Sequence, residues 1–402
     1  VSGPTVAVFA PDALGHFGPL RAVIAGLADR GATVHVLTAR AFAPQVEAAG
    51  GHFVDMFGPY PLEAADDESL PVVSRYVTYA GHYAEAIIRD VSALGVSLVV
   101  ADTFAVIGRA VANALGVPYL SVVAGHNMPP GRYIEHVKAT RQIETSDRCL
   151  RAVDVLRERY GIANASPFSY ADGLSPHLNL LCEPPEWLTA DETRAFEPAA
   201  FIGSLAPART LEAPRPPAGF RCGSPKVYAA LGTVPWWYWP ELVTDTLETV
   251  ARAVGATADL VISVGGLDVP EDRVAAMRGA GAKVVEHLHT WAALGEADVF
   301  VTSQGANSTH EAAYSRVPML SYPFHGDQTE LAERCASFGI GLQLVEQPRA
   351  PLTAGAVTEG IGAITVRRAA FDEALERARG WELAVVEGRE AVVERVLSFA
   401  HA

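Results

Sequence analysis

An α/β protein of two parallel-sheet domains is the fold class that the sequence predicts. Three observations carry this reading. Apolar, β-rich runs alternate with segments of helical spacing, the alternation occurs in two series, and a proline-dense stretch separates them. In the first series, residues 5–9 form a short apolar run, followed by a loop with Pro11, Gly15 and Gly18. Residues 20–28 have helical spacing and stop at Gly31, and residues 33–38 are again β-rich. A strand, helix and strand in that order imply a parallel pair. Residues 98–101 read as a buried strand ending at Asp102, 106–115 as a helix closed by Gly116, and 118–124 as the next strand. The second series has strands at 227–231, 259–264, 283–285, 299–302 and 318–321, and helices at 242–254 and from 308 to 314. Between the series, Pro207, Pro214, Pro216 and Pro217 predict an extended, semi-rigid linker. The expected boundaries are therefore 1–206, a linker at 207–223, a second domain at 224–384, and a C-terminal helix at 385–402 packing back towards the first domain.

Composition narrows the function. The 402 residues suit two or three domains at ~150 residues each. Hydrophobic residues make up 50% and charged residues 19%, enough for a large core. A net charge of -15 repels nucleic-acid phosphates and anionic lipid, so neither is an expected partner. Any bound phosphate must be held by local backbone dipoles. Cys149, Cys182, Cys222 and Cys335 show no CxxC spacing, which argues against a zinc site or disulfide framework. With no secretory pattern at the start, a cytoplasmic location is expected. The uncharged stretch 110–131 is broken by three prolines and reads as a buried strand with its loops.

Two loci carry candidate chemistry. Gly15-His16 lies on the expected loop after the first strand, and Asp102 ends a strand of the same sheet. A carboxylate beside a histidine would set its tautomer and stabilise the imidazolium. The alternative makes His16 a loop hydrogen-bonder and Asp102 a helix N-cap. The second locus runs from Phe300 to Glu311, a strand entering a small polar loop and a helix. Helix-start amides with the Ser308 and Thr309 hydroxyls would suit a diphosphate, and Glu311 a ribose diol. A plain capping box of Ser308 and Glu311 is the alternative. Asp327-Gln328 offers acceptors and donors to sugar hydroxyls, or an ordinary cap. Of the four adjacent aromatics from Trp236 to Trp239, at least one is expected on a ligand surface, because all four cannot face inward on one helix.

The order of Gly15-His16, Asp102, Gly232-Thr233, Asn307-Ser308-Thr309 with Glu311, and Gly326-Asp327-Gln328 resembles the UDP-glycosyltransferase superfamily. More narrowly, it is similar to bacterial natural-product glycosyltransferases. The resemblance covers nearly the whole chain, is strongest over 227–341, and is weak over 51–89 and 131–185. It implies a GT-B fold, with two Rossmann-like domains whose parallel sheets face each other across a cleft. It also implies inverting, metal-independent transfer of a hexose or deoxyhexose from a UDP- or TDP-sugar to a hydroxyl of a small acceptor. No other cofactor is implied. Carried over, His16 matches the catalytic base and Asp102 its partner. Donor contacts fall on Thr233, His287, Leu288, Ser303, Gly305, Asn307, Ser308, Thr309, Glu311, Asp327 and Gln328, and acceptor contacts on Trp236, Trp237, Phe104 and His126. Two departures stand out. Ser303-Gln304-Gly305 replaces a run in which a histidine contacts the diphosphate, with His289, His310 and His325 as candidate substitutes. His287-Leu288-His289-Thr290 replaces a Trp-x-Pro-Gln run whose indole stacks on the base, with Trp291 as a substitute stacker or a helix start. A nucleotide-sugar 2-epimerase-like isomerase and a catalytically silent auxiliary partner of another transferase are the competing functions. The oligomeric state, a homodimer among the possibilities, is left open.

Overall fold

Two wholly parallel sheets organise the computed structural model, which describes residues 3–62, 74–125, 128–140, 146–221, 225–266 and 268–401. The first sheet holds β1 (Thr5–Phe9), β2 (Thr33–Thr38), β3 (His52–Asp55), β4 (Leu98–Asp102), β5 (Tyr119–Val123), β6 (Asn179–Leu181) and β7 (Ala199–Phe201), in the order β3-β2-β1-β4-β5-β6-β7. The second holds β8 (Lys226–Ala230), β9 (Asp259–Ser263), β10 (Lys283–Val285), β11 (Val299–Thr302), β12 (Met319–Ser321) and β13 (Gly341–Gln343), in the order β10-β9-β8-β11-β12-β13. The chain divides into two compact units, Val1–Leu211 with Ala384–Ala402, and Glu212–Leu383.

The central strands β1, β4, β8 and β11 are largely apolar because both faces of each sheet are covered. In β1 the alternation sorts Val6 and Val8 into one core cluster and Ala7 and Phe9 into the other. Burying each of these valine and phenylalanine side chains contributes roughly 1.5–3 kcal/mol. Helix Ile107–Leu115 approaches so closely that a Cβ on Gly108 would lie 2.5 Å from the Ala101 Cβ, so only glycine fits there.

Strand order positions the candidate loops. The first strand of each unit, β1 and β8, sends its chain to one side and receives β4 or β11 on the other. At that reversal the connections diverge and leave a crevice beyond the carboxyl ends of the strands. Phe9 pairs with Ala101 at the end of β1 and β4, and Ala230 with Thr302 at the end of β8 and β11. His16 and Asp102 therefore emerge at the reversal of the first sheet, and Thr233 and Ser303 at that of the second.

Local structure departs from expectation at several points. Residues 208–211 of the proline-rich stretch are helical rather than extended. Helix Leu14–Asp29 begins before Gly15, Gly18 and Pro19, so His16 sits in a first helical turn and not on a loop. Glycine and proline are poor helix formers, but Phe17, Pro19 and Leu20 are buried and packing overrides propensity. The C-terminal helix spans Arg368–Ser398, and the boundary between the units falls inside it. In the first unit Arg389 donates to the carbonyls of Ile202, Leu205 and Ala206 at 2.7–2.9 Å. Cys149, Cys182 and Cys335 are buried free thiols, while Cys222 lies outside the described residues. Among the described residues no helix is long and apolar enough to cross a membrane.

Candidate active site

In the first unit, His16 Nδ1 lies 3.1 Å from both oxygens of Asp102. The carboxylate accepts, so Nδ1 carries the hydrogen and Nε2 is the basic nitrogen of the ring. Asp102 is fully buried, whereas the His16 side chain is 20% exposed. A buried carboxylate needs several donors, and Asp102 Oδ1 also accepts from the Phe104 amide at 2.8 Å. The next helix begins at Ile107, so Asp102 binds its own turn rather than serving as the N-cap. Two effects meet at His16. The positive end of its helix disfavours an imidazolium, and the buried carboxylate favours one.

Aromatic rings surround this pair. The Phe104 ring lies 4.0 Å from the His16 ring, and Tyr170 and Tyr76 lie 5.2 and 6.1 Å from Phe104. The Tyr76 hydroxyl donates to Asp12 at 2.5 Å, and Arg75 reaches the same carboxylate at 3.2 Å. Burial, then the Asp12 charge, push the Tyr76 phenol far above its ordinary range, so it stays a donor. His126 lies outside the described residues.

In the second unit, Gly232 adopts φ 73°, a left-handed conformation that only glycine takes freely, and Thr233 follows it, exposed. A Cβ on Gly232 would lie 3.5 Å from Ser303 Oγ, so the two loops are neighbours. Ser303 is 2% exposed. Gln304 is also left-handed, at φ 66°, and fully buried. Its Nε2 donates to Thr309 Oγ1 at 2.8 Å and lies 3.2 Å from Met319 Sδ and Cys335 Sγ, while its Oε1 accepts from Ser321 Oγ. Sequence reasoning missed this anchor. The available signal was a long amide side chain between Ser303 and Gly305 in a loop of small residues.

Helix Ala306–Ser315 has Gly305 as its N-cap, with no side-chain capping bond. Ser308 is therefore its third residue and not its cap, and Glu311 completes no capping box. The first-turn amides have no partners within the helix, and the macrodipole favours an anion there. Gly305, Asn307, Ser308 and Glu311 are half-buried. Thr309, expected beside the donor, instead turns inward. It is fully buried, and its hydroxyl donates to the Gly305 carbonyl at 2.9 Å.

Gln328 opens helix Gln328–Phe338, directly after Asp327. Its Oε1 accepts from the Phe324 and His325 amides at 2.8 and 3.2 Å, which sets the orientation of the amide. Gln328 can then only donate to a ligand, and half-buried Asp327 is the acceptor of the pair. On the base side, His287 and His289 are exposed, with rings edge-on at 5.0 Å. Leu288 between them is fastened by both backbone groups. Its amide donates to Ser263 Oγ at 3.2 Å, and its carbonyl accepts from Tyr228 Oη at 3.3 Å. Burial pushes the Tyr228 phenol up to about 12. Trp291 sits in helix Thr290–Ala293 with a ring face covered by Arg215, so that face is closed to a base.

Two further expectations are corrected. Trp236 is 4% exposed and packs against the Gly265 backbone, so it cannot present a stacking face, whereas Trp237 is 53% exposed. His310 is fully buried and meets buried Glu382 at 2.7 Å. It faces the core and cannot replace a phosphate-binding histidine. Among the described residues no group of three or more His, Cys, Asp or Glu is arranged to hold a metal ion.

Residues 276–350, which carry the base-side segment, the Ser303 loop and the Asp327-Gln328 pair, match the UDP-glucoronosyl and UDP-glucosyl transferase family. Over those residues the chain is similar to that family. Zeaxanthin glucosyltransferase of Pseudescherichia vulneris is 23% identical over 400 residues, covering 90% of this chain and 91% of that protein. The NDP-glycosyltransferase YjiC of Bacillus licheniformis is 23% identical over 372 residues, covering 89% and 88%. The kitacinnamycin glycotransferase structure superposes with a TM-score of 0.76 at 21% identity, over 98% and 99% of the two chains. The calicheamicin glycosyltransferase CalG4 gives 0.73 at 19%, over 99% and 98%. The chain therefore has the GT-B fold of these glycosyltransferases.

Proposed function

We propose that this enzyme transfers a hexose or deoxyhexose from a UDP- or TDP-sugar to a hydroxyl of a small natural-product acceptor, with inversion and without a metal. The observation that carries the reading is the contact of His16 with buried Asp102 at the strand-order reversal of the first sheet. The acceptor oxygen attacks the anomeric carbon, and the bond from that carbon to the diphosphate oxygen breaks. The acceptor proton passes to His16 Nε2, and Asp102 stabilises the resulting imidazolium. A single displacement inverts the centre. The first-turn amides of helix Ala306–Ser315, with Asn307, Ser308, Ser303 and Thr233, stabilise the departing diphosphate as it gains charge. Glu311 holds the ribose and Leu288 with His287 the base. Asp327 accepts from the sugar hydroxyls while Gln328 donates to them. Phe104 and Trp237 are the acceptor contacts. Thymidine diphosphate is bound in the spinosyn rhamnosyltransferase SpnG and in VinC, which favours testing TDP donors first.

Incubation of the protein with UDP- and TDP-sugars, with and without a panel of phenolic and polyketide-like alcohols, tests the reading. Release of nucleoside diphosphate that depends on acceptor, with formation of a β-linked product from an α-linked donor, is expected. Release without acceptor, with an epimerised sugar as product, would replace transfer by isomerisation. No turnover with any pair, together with intact nucleotide binding, would favour an auxiliary protein.

A further inference from the structure

From 212 to 217 every residue is exposed except Arg215, which is half-buried. Its guanidinium lies 3.6 Å from the centre of the Trp291 ring, and its Nη1 donates to Ser315 Oγ at 3.0 Å. Trp291 belongs to helix Thr290–Ala293, directly after the base-side segment, and Ser315 lies one turn beyond Glu311 on helix Ala306–Ser315. The Tyr314 ring lies 5.3 Å from Trp291 and joins the same cluster. Space is reserved for the arginine, because a Cβ on Gly295 would come within 2.7 Å of Arg215 Cδ. Burial lowers the basicity of the guanidinium, and the Tyr314 and Glu311 charges act against that. One side chain from the stretch before the second sheet thus touches both short helices on which the nucleotide contacts depend.

We infer that Arg215 is a positioning residue for the donor. It ties the base-side helix to the ribose-side helix and holds Glu311 where a ribose hydroxyl can reach it. The inference rests on the reading of His287, Leu288 and Glu311 as nucleotide contacts. An arginine suits this place better than a lysine, because a planar cation stacks on an indole while still donating sideways to a hydroxyl.

Calorimetric titration of the whole protein with UDP and with TDP, alongside steady-state kinetics, tests this with Arg215→Ala, Arg215→Lys, Glu311→Ala and the Arg215→Ala/Glu311→Ala double variant. Arg215→Ala is expected to weaken the better nucleotide about five-fold or more. The donor KM should rise in step, with kcat and acceptor KM nearly unchanged, and Arg215→Lys should recover only part of the loss. The double variant should lose several-fold less than the product of the single losses, because both act on one contact. Unchanged nucleotide affinity and donor KM in Arg215→Ala, with a lower Tm, would make the arginine a fold clasp and overturn the inference. If Arg215→Ala does not fold, Arg215→Lys decides on the same readouts. Should Glu311→Ala bind nucleotide like the parent, the reading of the donor site fails, and the role of Arg215 fails with it. That outcome is visible independently of any Arg215 variant.

Discussion

His16 is held by contacts that its immediate neighbours do not supply. The helix terminus around it opposes a positive ring, and the compensating charge arrives from Asp102 on a different strand. His16→Ala should slow transfer by roughly 100- to 10,000-fold, the usual range for a lost general base, with nucleoside diphosphate affinity unchanged. Asp102→Asn keeps an acceptor for the Phe104 amide but removes the counter-charge, so it should slow transfer by at least ~100-fold while the fold persists. Turnover and circular dichroism on the same samples check both, and near-parental rates in either variant would remove the pair from the chemistry. Gln328 invites a sharper comparison. Gln328→Glu preserves the oxygen that accepts the Phe324 and His325 amides but replaces the donor end with a second acceptor. Sugar-donor KM should rise about ten-fold or more in Gln328→Glu, from loss of one hydrogen bond and a charge placed beside Asp327, with free-nucleotide affinity little changed. Equal losses for the nucleotide and the nucleotide sugar would show that the side chain does not meet the sugar.

The element that most needs support is the loop between β11 and helix Ala306–Ser315. In the proposed donor site its amides face a ligand, and Gly305 supplies no capping side chain to occupy them. Gln304 substitutes from below, tying the loop to Thr309 on the helix, Ser321 on β12 and Cys335 on helix Gln328–Phe338. Removing that amide leaves buried polar partners unsatisfied, at a cost of about 2 kcal/mol or more. Gln304→Ala should be the worse of two replacements, because alanine also resists a φ of 66°. Gln304→Gly loses the same bonds but adopts that backbone freely and should be less destabilising by about 1 kcal/mol. Urea unfolding of the two variants decides the matter. An alanine variant as stable as the glycine variant would mean that the side-chain network does not impose the left-handed conformation.

Across the whole molecule, each unit is a parallel sheet with its candidate site residues at its own strand-order reversal. Chain connectivity is less regular, because residues 384–402 return to the first unit. Arg389 fastens that return with three hydrogen bonds to backbone carbonyls, and Val393 and Val396 enter the core beside Leu20 and Ile24. A charged donor to a carbonyl contributes about 1.5–3 kcal/mol, and the three bonds share one side chain. Arg389→Ala should lower the stability of the first unit by about 3 kcal/mol. Hydrogen exchange should then accelerate in residues 384–402 and around 202–206, while the second sheet stays protected. Uniform acceleration across both sheets would show that the chain unfolds as one cooperative body.

Local pattern made the sheets and the two candidate loci legible. A strand buried on both faces must be apolar along its length, which marked residues 5–9, 98–101 and 299–302, and functional loops follow the ends of such strands. The short strands β3, β6, β7 and β13 escaped notice because, unlike the equally short β10 and β11, they hold at most one β-branched residue. Side-chain commitments escaped for a different reason. Thr309, Ser308 and Glu311 look like ligand or capping groups from their spacing, yet Thr309 is claimed by Gln304 and Ser308 lies inside the helix. His310 finds Glu382, 72 positions away, and Arg215 finds Trp291 and Ser315. A buried polar atom must be paired, but its partner is whichever group the folded chain brings within about 3 Å. Hydrophobic spacing records which face of an element is buried, and proximity between distant segments, set only when the sheets form, decides which polar groups remain for substrate.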